Sequence, residues 1–251
     1  MTAKRVLITG AGSGFGKGAA MALAERGHDV IATTVDVAQA EALRAEAPGI
    51  AVHKLDITDP SDVALAADWD VDVLINNAGL GCLGPLAHVP LADVRAVFEV
   101  NVFGTLAISQ VVVRRMLERG SGRVLIVSSV AGLIAGPTSG PYSMTKHALQ
   151  AMGASWRAEL APHGIDVGLI NPGPFGTGFN DRMAVAAVER FATSDAHPGD
   201  AAQVNELHDL ITTNQGDPQE VVRVMVDLVE ADEIPRQTVV PSDLLSRFGL
   251  E

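Results

Sequence analysis

The chain has 251 residues, 47% of them hydrophobic and 19% charged. This is enough for one α/β domain with a large core, and it excludes a disordered chain. With 18 basic against 30 acidic residues the net charge is −12, so the surface repels phosphate backbones and anionic bilayers, and neither a nucleic-acid nor a membrane partner is expected.

Short β-branched runs alternate with longer segments of helical spacing. Strands are predicted at 5–9, 29–34, 50–55, 71–76, 122–128, 166–171 and 238–240. Continuous apolar runs such as Val124-Leu125-Ile126-Val127 suit strands buried on both faces, as parallel strands are. Pro60-Ser61-Asp62 reads as a helix start with Asp59 as its cap, and Gly27, Gly120 and Gly164 fall where helices would end. Repeated strand–helix–strand units predict a single-domain, doubly wound (Rossmann-type) parallel sheet of about seven strands, with helices on both faces. Residues 172–216 break the rhythm, with no clear strand and scattered Phe175, Phe179, Met183 and Phe191. A long insertion after a strand's carboxyl end suits a mobile substrate lid over the ligand crevice. An ordinary surface excursion with two short helices is the plainer alternative. Cys82 is the single cysteine, so no internal disulfide is expected, in keeping with a reducing compartment. No signal peptide and no run of ~20 apolar residues is read, which makes the cytoplasm the expected location.

The first strand runs into Thr9-Gly10-Ala11-Gly12-Ser13-Gly14-Phe15-Gly16, and a helix follows. Glycines there let backbone N–H groups approach a pyrophosphate, and the helix N-terminus adds a favourable dipole. Tyr142, the only tyrosine, stands four residues before Lys146 in a segment of helical spacing. Positions i and i+4 share a helix face, so an ammonium beside the phenol would stabilise the phenolate and lower its pKa. Ser129, after the 122–128 strand, stands where its hydroxyl could hold a carbonyl oxygen, with Ser128 as its rival.

Together these residues resemble the short-chain dehydrogenase/reductase family. The likeness includes the glycine turn, Asn76-Asn77-Ala78-Gly79 after the fourth strand, Asn101 in a long helix, Ser129, Tyr142, Lys146 and Asn171-Pro172-Gly173. It covers the chain to about Thr177 and loosens beyond. The resemblance implies an NAD(P)-dependent oxidoreductase that interconverts a secondary alcohol and a ketone or other carbonyl. Tyr142 would be the general acid/base, Ser129 would hold the substrate oxygen, and Lys146 would hold the nicotinamide ribose and lower the Tyr142 pKa. Asn101 would help hold a water that relays protons to Lys146. Cofactor contacts would come from Gly10, Ser13, Gly14, Phe15, Gly16, Asn77, Ala78, Gly79, Tyr142, Lys146, Pro172, Gly173 and Thr177. Asp56 and Ile57 would meet the adenine, although Asp56 also reads as a cap, with Thr58 and Asp59 nearby.

Cofactor choice is read at Thr34-Val35-Asp36. An acidic residue at the Thr34 position would bind the adenosine ribose, and an arginine at the Val35 position would take a 2′-phosphate. Neither is present. Asp36 is close by and no phosphate-binding cation is visible unless Lys17 supplies one, so NAD(H) is preferred over NADP(H). Pocket walls are expected from Cys82, Leu83, Val130, Leu133, Phe175 and Phe179, which suits a substrate with apolar flanks. Asn101-Val102-Phe103-Gly104 and Pro172-Gly173-Pro174-Phe175 look like the steroid- and retinol-type branch. His147 is expected to face away from Lys146. The 7 histidines show no paired metal spacing, so no catalytic metal is predicted. The family likeness also implies a homodimer or homotetramer, packed through helices at 91–118 and 141–162. Two other readings are a cofactor-binding sensor without turnover and a lyase-type relative, but both would be expected to lose residues that this chain keeps.

Overall fold

A computed structural model describes residues 2–192, 197 and 199–247. Seven strands, β1 (Arg5–Ile8), β2 (Asp29–Thr34), β3 (Ala51–Lys54), β4 (Val73–Asn76), β5 (Gly122–Val127), β6 (Ile165–Pro172) and β7 (Gln237–Val240), form one sheet in the order β3-β2-β1-β4-β5-β6-β7. Every neighbouring pair is parallel. The order reverses between β1 and β4, and an open α/β sheet of this kind has its ligand crevice at the carboxyl ends of those strands.

Parallel strands bury both faces, and β1 shows how. Val6 and Ile8 join one apolar cluster and Leu7 joins the other, all with 0% exposure. Against the first face pack α1 (Gly14–Glu25), α2 (Val37–Glu46) and α9 (Gln219–Glu230), through residues such as Leu23, Leu43 and Met225. The other face is covered by α3 (Pro60–Leu65), α5 (Thr105–Arg119) and α6 (Gly140–Leu160), through Val63, Ile108, Met116 and Leu149. Asp59 caps α3 as expected, its carboxylate accepting from Ser61 N at 2.8 Å, with Pro60 in the first turn. Gly27, Gly120 and Gly164 all take positive φ just beyond helices.

The helix α4 (Leu91–Phe98) continues through a π-turn at Glu99–Gly104 into α5. The run Leu91–Arg119 is long and apolar enough to cross a membrane by length and composition, contrary to the expectation that no such stretch exists. Its buried stripe of Ile108, Val112, Val113 and Met116 belongs to the core instead. The 172–216 segment holds α7 (Phe179–Phe191) and α8 (Asp200–Thr212), which pack against each other. A lone bridge between Phe175 and Gly216 closes its base.

Candidate active site

After β1 the chain turns sharply, with Gly10 at φ +66° and Gly14 at φ +56°. A Cβ at Gly10 would stand 2.7 Å from the Ala78 backbone, so this approach requires glycine. The segment after β4 clamps the turn. Asn77 Nδ2 donates to the carbonyls of Thr9 and Gly10 at 3.0 Å each, and Thr9 Oγ1 accepts from Asn77 N and Ala78 N. Gly16, the first buried residue of α1, faces the same Asn77 amide. Phe15 meets Phe175 edge to face with centroids 5.8 Å apart, and Thr177 lies against Gly14. The glycine turn and the segment after β6 thus form opposite walls of one crevice.

That crevice is a cavity of about 580 Å³. Of the residues expected to contact cofactor, Gly10, Ser13, Gly14, Phe15, Asp56, Ile57, Asn77, Ala78, Gly79, Tyr142, Lys146, Pro172, Gly173 and Thr177 line it, and so does Ser129. Thr34, Asp36, Gly16 and Asn101 stand behind the lining. Thr34 is fully buried, and its hydroxyl donates to the Asp36 carbonyl at 2.9 Å. The Asp36 carboxylate caps α2 by accepting from Gln39 N at 2.8 Å and also holds Gln39 Nε2 at 2.7 Å. This leaves Gln39, which is not among the residues expected from the sequence, to reach across Gly12 into the cavity. Its signal was a glutamine three residues after an N-cap aspartate. Asp56 shapes the turn after β3, its Oδ1 accepting from the N and Oγ1 of Thr58 at 2.9 and 2.7 Å. Lys17 pairs with Glu46 at 2.5 Å and does not line the cavity.

The catalytic candidates line the same cavity. Ser129 follows β5, and Tyr142 and Lys146 lie on one face of α6, with the Lys146 ammonium 5.5 Å from the Tyr142 ring centroid. Lys146 Nζ donates to the Val127 carbonyl at 2.9 Å. It is 5% exposed, and desolvation pulls its pKa down from 10.5 to about 8. Burial pushes the Tyr142 phenol up, and a hydrogen bond with Ser129 opposes the rise. Without cofactor, then, the phenol is raised rather than lowered, with burial as the dominant cause. Burial of both groups disfavours both charges. His147 faces elsewhere, as expected, with Nδ1 2.9 Å from the Ser143 carbonyl.

Asn101 lies in the π-turn, where an extra residue re-aims the helix. Its amide accepts from Leu80 N at 2.7 Å and donates to Leu80 O and Thr145 Oγ1 at 2.8 and 3.0 Å. It braces the loop beside Lys146. Of the expected pocket walls, Leu83, Val130, Phe175 and Phe179 line the cavity. Cys82 and Leu133 do not. Cys82 packs with Val89 and Val97 beneath α4, and burial pushes its thiol pKa up. Further wall comes from Met183 on α7 and from Leu207 and Ile211 on α8, residues too distant in sequence to be placed by spacing.

A family model described as short chain dehydrogenase matches residues 4–187. The chain belongs to the short-chain dehydrogenase family. It is 33% identical to an uncharacterized oxidoreductase, YusZ, of Bacillus subtilis, over 93% of this chain and 87% of that protein. Human retinol dehydrogenase 8 is 32% identical over 94% of this chain and 81% of its own length. A short-chain dehydrogenase from Streptomyces avermitilis superposes with a TM-score of 0.83 at 30% identity, covering 98% of this chain and 91% of that one. Two further solved structures carry cofactor. A Burkholderia phymatum family member is in complex with NAD (TM-score 0.79, 26% identity, 97% and 91% coverage). A Sphingobium yanoikuyae dehydrogenase is in complex with NADPH (TM-score 0.77, 25% identity, 98% and 91% coverage). The family of oxidoreductases thus binds both nicotinamide dinucleotides and acts on small molecules.

Proposed function

We propose that this protein interconverts a secondary alcohol and a ketone, using NAD(H) in preference to NADP(H). The observation that carries the reading is that Ser129, Tyr142 and Lys146 line the same cavity as the glycine turn. The cradle fits a dinucleotide because Gly10 and Gly14 hold positive φ and leave the space a side chain would fill. Gly10, Ser13, Gly14 and Phe15 would hold the pyrophosphate, with Gly16 and Asn77 keeping the turn in shape. Asp56, Ile57, Ala78 and Gly79 would flank the adenosine half, and Pro172, Gly173 and Thr177 the nicotinamide. The bound nicotinamide supplies or accepts the hydride.

The protein's own part is the proton and the geometry. Ser129 orients the substrate oxygen, and Tyr142 Oη gives that oxygen a proton in reduction or takes one in oxidation. Lys146 holds the ribose, where hydrogen bonds favour its charged form and so allow it to stabilise the phenolate. Asn101 is a positioning residue, since its side-chain bonds fix Leu80 and Thr145 around Lys146. Leu83, Phe175, Phe179, Leu207 and Ile211 favour a substrate with apolar flanks, and α7 and α8 serve as its lid. Among the described residues lining the cavity at the ends of β2 and β3, none is basic, which supports NAD(H). Gln39, steadied by Asp36, takes the place of the missing acidic ribose partner behind Thr34. The single cysteine and acidic surface fit a cytoplasmic enzyme, and α4–α6 offer the faces through which it would form a homodimer or homotetramer.

The test is Tyr142→Phe assayed with NADH and a panel of apolar ketones. Turnover should fall by about 100-fold or more while NADH affinity stays within about twofold. Retained turnover would remove Tyr142 from its role, and loss of NADH binding would make its role structural.

A further inference from the structure

The lid is fastened to the segment after β4 along one seam. Met183 packs on Gly81 and Phe191 on Gly84, and Arg190 pairs with Asp93 at 2.8 Å. At the end of this seam, His88 Nδ1 lies 2.7 Å from Asp200 Oδ2 and His197 Nδ1 lies 3.9 Å from Asp200 Oδ1. The two imidazoles stack with centroids 4.7 Å apart and planes 20° from parallel. One potential donor atom from each of the three residues lies within 4.8 Å of the other two. None of the three lines the catalytic cavity.

We propose that His88, His197 and Asp200 form a binding site for a divalent late first-row metal ion, Zn²⁺ foremost, that latches the lid to the body of the protein. The donor set of two imidazoles and one carboxylate matches zinc, and ions of the Irving–Williams series near it, better than magnesium or calcium. The Asp200 side chain is only 6% exposed, and its carboxylate faces both imidazoles. A buried carboxylate needs a compensating charge, and a metal ion supplies it while using both stacked rings as ligands. Donors sharing one zinc at ~2.1 Å stand roughly 3.4 Å apart in a tetrahedron, so a turn of the exposed His197 ring closes the set and leaves a fourth position to water. The sequence hides the site, because His88 and Asp200 lie 112 positions apart. Asp200 opens α8, the helix that carries Leu207 and Ile211 into the cavity wall. Metal binding therefore fixes one end of the helix that closes over the substrate, apart from any role in hydride transfer.

Tag-free protein, stripped with chelator, would be titrated with ZnCl₂ by calorimetry alongside His88→Gln, Asp200→Asn and His208→Gln. The last is a control, a half-buried histidine beside Asp209 outside the cluster. The expected result is one saturable equivalent in wild type and His208→Gln, weakened about tenfold or more in the two cluster variants. A rise in thermal midpoint with Zn²⁺ should appear and disappear in the same pattern. Cobalt(II) gives a reading on the wild type alone, where intense visible ligand-field bands report a four-coordinate site. No saturable binding in wild type, equal affinity in all variants, or a cobalt spectrum like that of the aqueous ion would overturn the proposal.

Discussion

Replacing Lys146 with methionine should make the protein more stable and leave it inactive. The ammonium is 5% exposed, and its pKa falls from 10.5 to about 8 because burial penalises the charge. At ~1.4 kcal/mol per pH unit, that gap corresponds to about 3 kcal/mol of folding free energy lost at neutral pH. Methionine removes the charge at similar volume but also the hydrogen bond to Val127 O, worth ~1 kcal/mol, so the net gain is about 2 kcal/mol. For a chain of this size that is a rise of roughly 4–8 °C in Tm. The pH dependence follows from which state holds the proton. The folded pKa lies below the unfolded one, so the wild-type penalty is complete below about pH 8 and is relieved as pH rises from 8 to 10.5. The variant's advantage should therefore shrink over that window. Urea unfolding of both proteins at pH 7 and pH 10 measures it. A variant no more stable at pH 7, or an advantage unchanged at pH 10, would refute the idea that Lys146 is held at a cost to the fold for the sake of the ribose.

Burial pushes the Tyr142 phenol up, so the protonated form needed for ketone reduction persists at neutral pH. Initial-rate profiles should show kcat/KM for alcohol oxidation climbing through the alkaline range while reduction falls; a flat pair of profiles would contradict this. Gly10→Ala places a methyl on a φ of +66° against the Ala78 backbone and should cost about 2–5 kcal/mol together with cofactor binding. Denaturation curves and an NADH titration check both parts. Val35→Arg, at a 51% exposed position on the cavity edge, should shift the NADPH-to-NADH affinity ratio upward about tenfold, as one charge-assisted bond to a 2′-phosphate would. An unchanged ratio would show that Val35 does not face that phosphate.

The sheet was legible because parallel strands buried on both faces leave unbroken apolar runs, and glycine and proline punctuate the helices between them. Strand ends shifted by a residue or two, as at β4, where Val71 and Asp72 precede the ladder. The glycine turn, Ser129, Tyr142 and Lys146 were legible because each sits at a fixed offset from a strand or along one helix. Other features depend on contacts that spacing does not encode. Asp36 looked like a ribose partner, yet its carboxylate is taken up by the N-terminus of α2 and by Gln39. Cys82 looked like pocket wall, yet the loop after β4 turns it beneath α4. The fall in the Lys146 pKa comes from desolvation, which no local motif reports.

Titration of the purified protein with NADH and with NADPH, followed by nicotinamide fluorescence, decides whether the crevice holds a nicotinamide dinucleotide and which one it prefers. NADH should bind saturably and more tightly than NADPH. Binding of neither by protein shown to be folded would contradict the oxidoreductase reading, and tighter NADPH binding would contradict the assignment of Gln39 and the uncharged Val35 edge to an unphosphorylated ribose.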